Sequence, residues 1–446
     1  MRWSCSPLAA LLLLGGCVSV YHRPDVTLPD RYAHGPALIS SQAPDPRWWR
    51  AFGDPHLDAI VEQALASNRD LATAALNVHK AQLMAGIARL NQGPIASGGV
   101  SASRVGNVSA YGASLSVSYE VDLWARLAST TSAAVWEAHA TQEDRDATEL
   151  ALIGTSVNLY WDIGYTHQQI TTGQATLAYQ RRILDLVTIQ HRLGAVSGVE
   201  RAEAEQAVTA QIADLSALAQ HLVEDQAAMA LLLGNAPLPV SWEPETLPDG
   251  AMADLPVGMP ASLLSRRPDV KASEMRLRET LATGDATRAE LYPDISLTGG
   301  ASTASTALTS LLSNPTGSIL AAITLPILDY RRHRLNNNIA QANYDIAVLA
   351  FKTTLFQALS DADNALSNRT ELARQGAALK QSLGAAQTAE RLYEVRYTSG
   401  SVALRVWLDA QQSARAAQLA YDNNRLSQLV NQSTLYQALG GGGPAT

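Results

Sequence analysis

Two regions of the chain alternate polar and apolar residues with a period of two, a pattern that predicts β-strands. In the first region, Leu115, Val117 and Tyr119 are separated by serines. The second region shows the same alternation from Ile295 and again from Ile319 to Ile327. About 9 to 11 alternating residues suit one tilted transmembrane strand. A small, half-buried sheet of a water-soluble protein would give the same pattern, so the alternation alone leaves both interpretations open.

A long helical pattern follows each strand region. The first runs from about Trp124 to Arg192 without a proline, and within it Leu150, Ile153 and Val157 have the three-four spacing of a coiled-coil seam. Such a helix would be roughly 100 Å long. Two further helical patterns, at about 57–90 and 199–232, are each near half that length. We therefore expect antiparallel helices in which two short helices, placed end to end, match one long helix.

The chain contains an internal duplication. Asp70 matches Asp269 at a separation of 199 positions, whereas Gly194 matches Gly400 at 206. Seven extra residues therefore enter the second copy, and the loop-like tract 303–317 is where we place them. Each copy has the same order of elements: a helix, a pair of strands, a very long helix, a tight turn and a return helix.

The duplication and the flanking composition predict six segments. They are a signal peptide (1–16), a lipidated extended segment (17–56), repeat 1 (57–234), a proline-rich connector (235–264), repeat 2 (265–439) and a flexible tail (440–446). Within repeat 1 we expect strands at about 95–122, the long helix at 124–192 and the return helix at 199–232. Within repeat 2 we expect strands at about 293–327, the long helix at 331–398 and the return helix at 401–437.

The N-terminus has the pattern of a secretory signal. Arg2 precedes a seven-residue apolar run, too short to span a bilayer, and two glycines follow it. The stretch ending at Cys17 resembles the lipobox of bacterial lipoproteins, which implies a diacylglycerol and an N-acyl chain on Cys17. Val18 in place of an aspartate implies sorting to the outer membrane. The alternative is an incidental cysteine. Cys5 would leave with the signal, so we expect no internal disulfide.

Composition and motifs exclude several classes of protein. The formal net charge of −8 argues against nucleic acid as a partner. Three phenylalanines against abundant alanine favour closely packed helices. The chain has no phosphate-binding loop, no nucleophile elbow and no helical histidine pair, so we expect neither an enzyme nor a metal site, and no cofactor besides the lipid. A calcium loop starting at Asp361 fails, since Leu366 and Leu372 occupy its glycine and glutamate positions.

Strand number limits how a membrane crossing could work. No later segment reaches about 18 uninterrupted apolar residues, so any crossing would be made by strands. Membrane strands must close into a barrel, because lipid cannot satisfy backbone polar groups. Two hairpins supply four strands, whereas the smallest barrels need about eight. Several chains would therefore have to share one barrel.

Three stretches resemble one family. They are "WWRAFGDPHLDAIVEQALASNRDL" from Trp48, "RPDV" from Arg267 and "SGSVALRVWLDAQQ" from Ser399. Together with the lipobox and the duplicated order of elements, they resemble outer-membrane efflux channels of the TolC type, in the lipoprotein (NodT-like) branch. The resemblance implies a mainly α-helical homotrimer with a shared twelve-strand outer-membrane β-barrel, continuous with a periplasmic α-helical barrel. It also implies two partners, a periplasmic adaptor (membrane fusion) protein and an inner-membrane pump of the RND (resistance-nodulation-division) class.

The periplasmic tip is where we expect the gate. Gly194 and Gly400 mark the helix-helix turns, and Ser197 begins a capping-box pattern for the return helix. The resemblance places the aperture aspartate at Asp409, which Glu203 matches in copy one. Family members often have an apolar residue one turn earlier, where this chain has Arg405. A tether between Arg405 and Asp409 is one possibility, and a simple surface pair is the other.

The function that the resemblance implies is a passive exit duct for small molecules in a tripartite efflux pump. The duct would be anchored by lipid in the outer membrane, extend into the periplasm and open at its tip when adaptor and pump engage. A duct for type I protein secretion is an alternative, and a lipid-anchored helical scaffold without a pore is another. In this arrangement the pump and the adaptor, and not the duct, would select the substrate.

Overall fold

A computed structural model describes residues 18–35, 45–252, 255, 257, 259–326 and 329–441. Cys17, Ile327 and the tail 442–446, on which some of the predictions above fall, lie outside these ranges. Within the described ranges, each helix lacks the length or the apolar character that a helical membrane span needs.

The described elements follow the duplicated order expected from the sequence. They are α1 (Pro55–Ser67), α2 (Arg69–Leu90), β1 (Ile95–Val105), β2 (Val108–Glu120), α3 (Arg126–Arg192), α4 (Gly198–Leu232), α5 (Leu263–Arg266), α6 (Pro268–Ala289), β3 (Asp294–Ser305), β4 (Thr316–Thr324), α7 (Tyr330–Thr398) and α8 (Leu404–Ala438). Short 3-10 turns occupy Trp48–Phe52, Val240–Trp242, Pro260–Ser262 and Leu308–Ser310.

The prediction of one helix over 57–90 is wrong, because the chain breaks at Asn68. This residue has extended backbone angles (φ −69°, ψ 130°) and separates α1 from α2. Its side-chain oxygen accepts hydrogen bonds from the backbone N–H groups of Asp70 (2.9 Å) and Leu71 (3.0 Å). Asn68 therefore caps the start of α2, as asparagine does at many helix N-termini.

The four strands form one antiparallel sheet in the order β1-β2-β3-β4. A tight turn with Gly106 in the left-handed region (φ 61°) joins β1 to β2, and residues 306–315 join β3 to β4. The predicted insertion in the second copy lies in this longer loop. The two hairpins meet where β2 pairs with β3, with Leu115 opposite Ala301. The last strand ends at Thr324, so it stops short of the predicted limit.

The chain divides into two compact units. The first comprises the residues up to Thr27, Ala74–Arg145 and Pro268–Leu355, and it includes the whole sheet. The second comprises Leu28–Thr73, Asp146–Arg267 and Phe356 onward. These units cut across the two sequence repeats, because α3 and α7 each contribute residues to both units.

In the first unit, the segment that follows the predicted lipid site is bound to α6. The backbone N–H and the hydroxyl of Ser19 each donate to Asp285 at 2.8 Å. Arg23 makes an ion pair with Glu274 at 2.8 Å, and Tyr21 donates to the same carboxylate at 3.1 Å. The guanidinium of Arg278 lies 4.4 Å above the Tyr21 ring. Two buried carboxylates of α6 therefore hold the N-terminal segment in place.

In the second unit, the tryptophan block from Trp48 forms part of the core. Trp48 is buried and stacks on Tyr436, with 4.8 Å between ring centroids. Asp54 caps the start of α1 and also accepts a hydrogen bond from the Tyr160 hydroxyl at 2.6 Å. This block therefore has a structural role in its unit.

The proline-rich connector also belongs to the second unit, and polar contacts fix it there. The side chain of Glu243 is only 5% exposed, and its carboxylate lies 2.6 Å from Nε2 of His167, while Gln226 donates to the same carboxylate. Further along, Arg425 donates to the carbonyls of Pro248 (2.6 Å) and Gly250. These contacts hold the connector at Glu243, Pro248 and Gly250.

Candidate functional site

The two helix-helix turns have the geometry that their glycines predict. Gly194 and Gly400 have φ values of 75° and 73°, in the left-handed region. In each turn the residue after the glycine donates back to the helix: Ala195 to the Gln190 carbonyl at 2.8 Å, and Ser401 to that of Arg396 at 2.9 Å. This hydrogen bond defines the Schellman motif that ends many helices. Both glycines therefore have the backbone conformation that ends a helix in a tight turn.

The return helices begin differently in the two copies. Ser197 and Glu200 form the predicted capping box at the start of α4. The hydrogen bond from the Ser197 hydroxyl holds the pKa of the Glu200 carboxyl below its usual value. In the second copy the corresponding position is Ala403, which has no side chain to cap the helix. Helix α8 nevertheless begins at Leu404, the position equivalent to Gly198 of α4, and three residues later than predicted.

An aromatic cluster behind the turns joins four helices. Trp407 of α8 is only 4% exposed and packs with Ile183 and Val187 of α3, with Ala204 of α4 and with Leu404. Its ring stacks on Tyr397 of α7 (centroids 5.1 Å apart) and meets Tyr179 of α3 edge to face (5.8 Å). Stacked and edge-to-face geometries are the favourable ones for aromatic pairs. We call this group the tip cluster.

Hydrogen bonds fix the two tyrosines of the tip cluster. The Tyr179 hydroxyl donates to Glu394 at 2.9 Å, and the Tyr397 hydroxyl donates to Gln190 at 3.2 Å. Burial raises the pKa of both phenols above their ordinary value. The hydroxyls therefore stay protonated and act as donors across the α3–α7 contact.

Arg405 pairs with Glu203, the residue that corresponds to Asp409 in the first copy. The guanidinium of Arg405 lies 3.5 Å from the Glu203 carboxylate, and the two side chains are 74% and 25% exposed. Exposed pairs of this kind contribute roughly 0–1 kcal/mol. The pair links α8 to α4, so it is a contact between the two return helices.

Asp409 lies one turn further along α8 and is exposed. The ion pair that the structure gives to Arg405 is with Glu203, so the surface pair between Arg405 and Asp409 that the spacing allowed is not what this chain forms. A helical pair with the basic residue first and the acidic residue four positions later has the less favourable orientation. The described contacts thus bring Arg405 and Glu203 together and leave Asp409 apart.

Trp407 was missed in the sequence, although it lies within the quoted stretch "SGSVALRVWLDAQQ". Two signals were available: a bulky aromatic residue seven positions after a turn glycine, and Tyr397 three positions before that glycine. Neither signal identifies Tyr179 as the third ring, because that residue comes from a distant helix.

Apolar side chains surround the turns on the outside. Leu193 and Val199 flank the first turn, and Leu392 and Val395 precede the second; all four are more than half exposed. The described residues contain no group of three or more acidic, histidine or cysteine side chains placed to hold a metal ion. The tip thus combines a packed aromatic interior, an exposed acidic residue and an apolar exterior.

Comparison with known proteins gives a consistent picture. The family model "Outer membrane efflux protein" matches residues 60–235 and 259–441. The pyoverdine export outer membrane protein OpmQ of Pseudomonas putida is 32% identical and covers 91% of this chain, with 90% of its own length aligned. The toluene efflux pump outer membrane protein TtgC of the same species is 30% identical over 96% of this chain and 93% of its own length.

Solved structures agree with the sequence relatives. The open-state outer membrane channel MtrE of Neisseria gonorrhoeae is 30% identical, with a TM-score of 0.84 over 95% of this chain and 98% of its own. The outer membrane channel CmeC of Campylobacter jejuni shares the fold, with a TM-score of 0.88 at 22% identity over 96% of this chain and 95% of its own.

Proposed function

The chain belongs to the outer membrane efflux protein family, and we propose that it is the lipid-anchored exit duct of a tripartite, RND-type efflux pump. In this role three copies form a passive channel for small molecules, and the chain performs no catalysis. The fold and the family support an outer-membrane efflux duct. The trimer, its partners, its gate and its lipid are our own inferences.

The observation on which the proposal rests most is that one chain leaves its sheet open. β1 and β4 are the two edges, and both strands carry exposed apolar side chains: Val100 is 87% and Ile319 is 92% exposed. Lipid cannot satisfy the backbone polar groups of an unpaired strand edge, so membrane strands must close into a barrel. Four strands are too few for a barrel, since at least about eight are needed. Three copies joined edge to edge would supply twelve strands.

The tip supports the proposed gate. The tip cluster joins α3, α4, α7 and α8, so moving α8 away from the other helices requires breaking it. In a trimer the three Asp409 side chains would form an acidic ring, which favours cations. The apolar residues outside the turns suit a protein partner, and we assign them to the adaptor that opens the duct with its pump.

The N-terminal segment supports lipid attachment at Cys17. Residues 19, 21 and 23 are bound to α6 in the unit that contains the sheet. An acyl chain on a residue just ahead of them would therefore lie close to the strands that we place in the membrane. Relatives are named for pyoverdine export and for toluene efflux, so we assign the choice of substrate to the pump and adaptor.

Planar-bilayer recording tests the duct directly. The purified protein should behave as a heat-modifiable trimer and insert to give discrete single-channel conductance. A trimer that never conducts would refute the duct and favour a scaffold. Deletion of the gene should sensitise cells to small toxic compounds, whereas loss of one secreted protein without such sensitivity would favour type I secretion.

A further inference from the structure

One face of α2 has an apolar stripe that the described residues of the chain leave exposed. Leu76, Leu83, Ile87 and Leu90 are each more than half exposed. Lys80 lies between Leu76 and Leu83 on the same face, and with it the five residues follow the four-three spacing of a coiled-coil seam. The residues with which α2 packs inside the chain lie on another face: Val78, Ala81 and Ala85.

A second stripe lies on α7 in the same unit. Leu335, Ile339, Ile346 and Leu349 are also more than half exposed, and exposed Ala342 completes the four-three spacing. The residues that α7 buries inside the unit, Phe351 and Leu355, are outside this stripe. Two seams of equal length are therefore present, and the residues that the structure describes cover neither of them.

The sheet determines how the two seams can meet. α2 ends just before β1, and α7 starts just after β4, so the two helices run in opposite directions relative to the sheet. Because β1 and β4 are opposite edges, pairing β4 of one copy with β1 of the next would bring α7 of the first copy beside α2 of the second. The two seams would then face each other in antiparallel orientation.

The residue types match layer by layer in that arrangement. With Leu90 opposite Leu335, the following layers pair Leu83 with Ala342 and Leu76 with Leu349. Lys80 then falls in the layer of Ile346, next to Asp345, which is exposed and accepts a hydrogen bond from Gln341 at 3.1 Å. The single basic residue of one seam thus meets an acidic residue beside the other.

We propose that the α2 seam (Leu76, Lys80, Leu83, Ile87, Leu90) and the α7 seam (Leu335, Ile339, Ala342, Ile346, Leu349) form the helical contact between adjacent copies of this chain, with Lys80 and Asp345 fixing its register. The inference rests on the proposed function only in requiring several copies. A single polar residue in an apolar seam commonly specifies register. A shift by one turn would bury the Lys80 ammonium without a partner.

Crosslinking tests the contact. Leu83→Cys combined with Ala342→Cys, in a Cys5→Ser and Cys17→Ser background with a cleavable signal, should give covalent trimers with a short thiol crosslinker. Each single variant should give none. The matched control is Gln82→Cys with Ala342→Cys, because exposed Gln82 is the neighbour of Leu83 but points about 100° away around the helix. Equal crosslinking in the control, or none in the test pair, would overturn the proposal.

Charge exchange tests the register. Lys80→Asp and Asp345→Lys should each reduce the fraction of heat-resistant trimer, and the double variant should restore it. A double variant as unstable as the single variants would overturn the pairing. Conductance separates this inference from the function: crosslinked trimers that do not conduct would refute the duct alone, and conducting trimers without crosslinks would refute the seams alone.

Discussion

Replacing Trp407 with alanine should open the tip. The side chain is 4% exposed, and its removal leaves a cavity between Tyr179, Tyr397 and the aliphatic residues of α3. Large-to-small changes of this kind typically cost about 3–5 kcal/mol. Loss of two aromatic contacts, each worth about 0.5–1.5 kcal/mol, lies within that range. If only about 3 kcal/mol of this loss destabilises the closed tip relative to the open tip, the ratio of open to closed channels should rise more than a hundredfold.

Trp407→Phe is the matched control for this change. The indole Nε1 has no hydrogen-bond partner among the described residues, so phenylalanine loses no polar contact and keeps most of the packing. A second control is Trp124→Ala, which removes a ring stacked on Tyr292 (4.7 Å) in the other unit. It should lower stability without changing the gate.

Single-channel recording in planar bilayers measures the effect. Trp407→Ala should conduct more than the parent, and hydrogen exchange should be faster at the start of α8. Trp407→Phe should resemble the parent in both measurements. If hydrogen exchange becomes faster but conductance does not change, the tip cluster has only a structural role, and the proposal that it holds the gate closed is wrong.

The other predictions concern smaller perturbations. Arg405→Ala combined with Asp409→Ala should raise conductance less than Trp407→Ala does, because exposed charges contribute little; unchanged conductance would remove both from the gate. Gly400→Ala should lower the free energy of unfolding, measured by thermal unfolding, by about 1–2 kcal/mol, because the φ of this residue lies in the left-handed region. Cys17→Ser behind a cleavable signal should still yield trimers, and their complete loss despite normal secretion would show that the lipid is essential. Glu274→Ala should lower the free energy of unfolding by about 2–3 kcal/mol, as measured by denaturant unfolding. This is less than the usual cost of breaking a buried ion pair, because Arg23 is half exposed and its guanidinium can be hydrated once the carboxylate is gone.

The surroundings of Glu274 also give the protein a pH dependence. Burial would raise its pKa, but hydrogen bonds from Arg23 and Arg278 outweigh burial and hold the pKa below the ordinary value. A lowered carboxyl pKa stabilises the fold above the unfolded-state pKa of about 4.3, and this stability is lost as the pH falls further. Acid unfolding monitored by circular dichroism should therefore begin at higher pH in Arg23→Gln than in the parent.

Local signals in the sequence predicted local structure well. The capping box of Ser197 and the left-handed glycines depend on residues within one turn of each other, so their patterns are specific. The break at Asn68 was also encoded locally, in the asparagine that precedes Arg69 and Asp70. It was overlooked because the apolar period continues across it, and periodicity alone does not reveal a break of one residue.

Contacts between distant helices could not be predicted in this way. Arg405 has an acidic residue four positions ahead on its own helix, yet it pairs with Glu203, which is about two hundred positions away. The choice depends on how α4 and α8 lie side by side, and spacing along one helix does not contain that information. The ring contacts of Tyr179 with Trp407 have the same origin.

These contacts indicate what an opening partner would have to do. Arg405 is already engaged by Glu203, so it is not available to hold a ring of Asp409 carboxylates together in a closed tip. The exposed Arg405–Glu203 pair itself contributes only roughly 0–1 kcal/mol. By our reasoning, closure then depends on the buried tip cluster. A partner that only screened charge would therefore leave the tip shut, whereas one that packs on the apolar exterior and draws α8 away from Tyr179 and Tyr397 would open it.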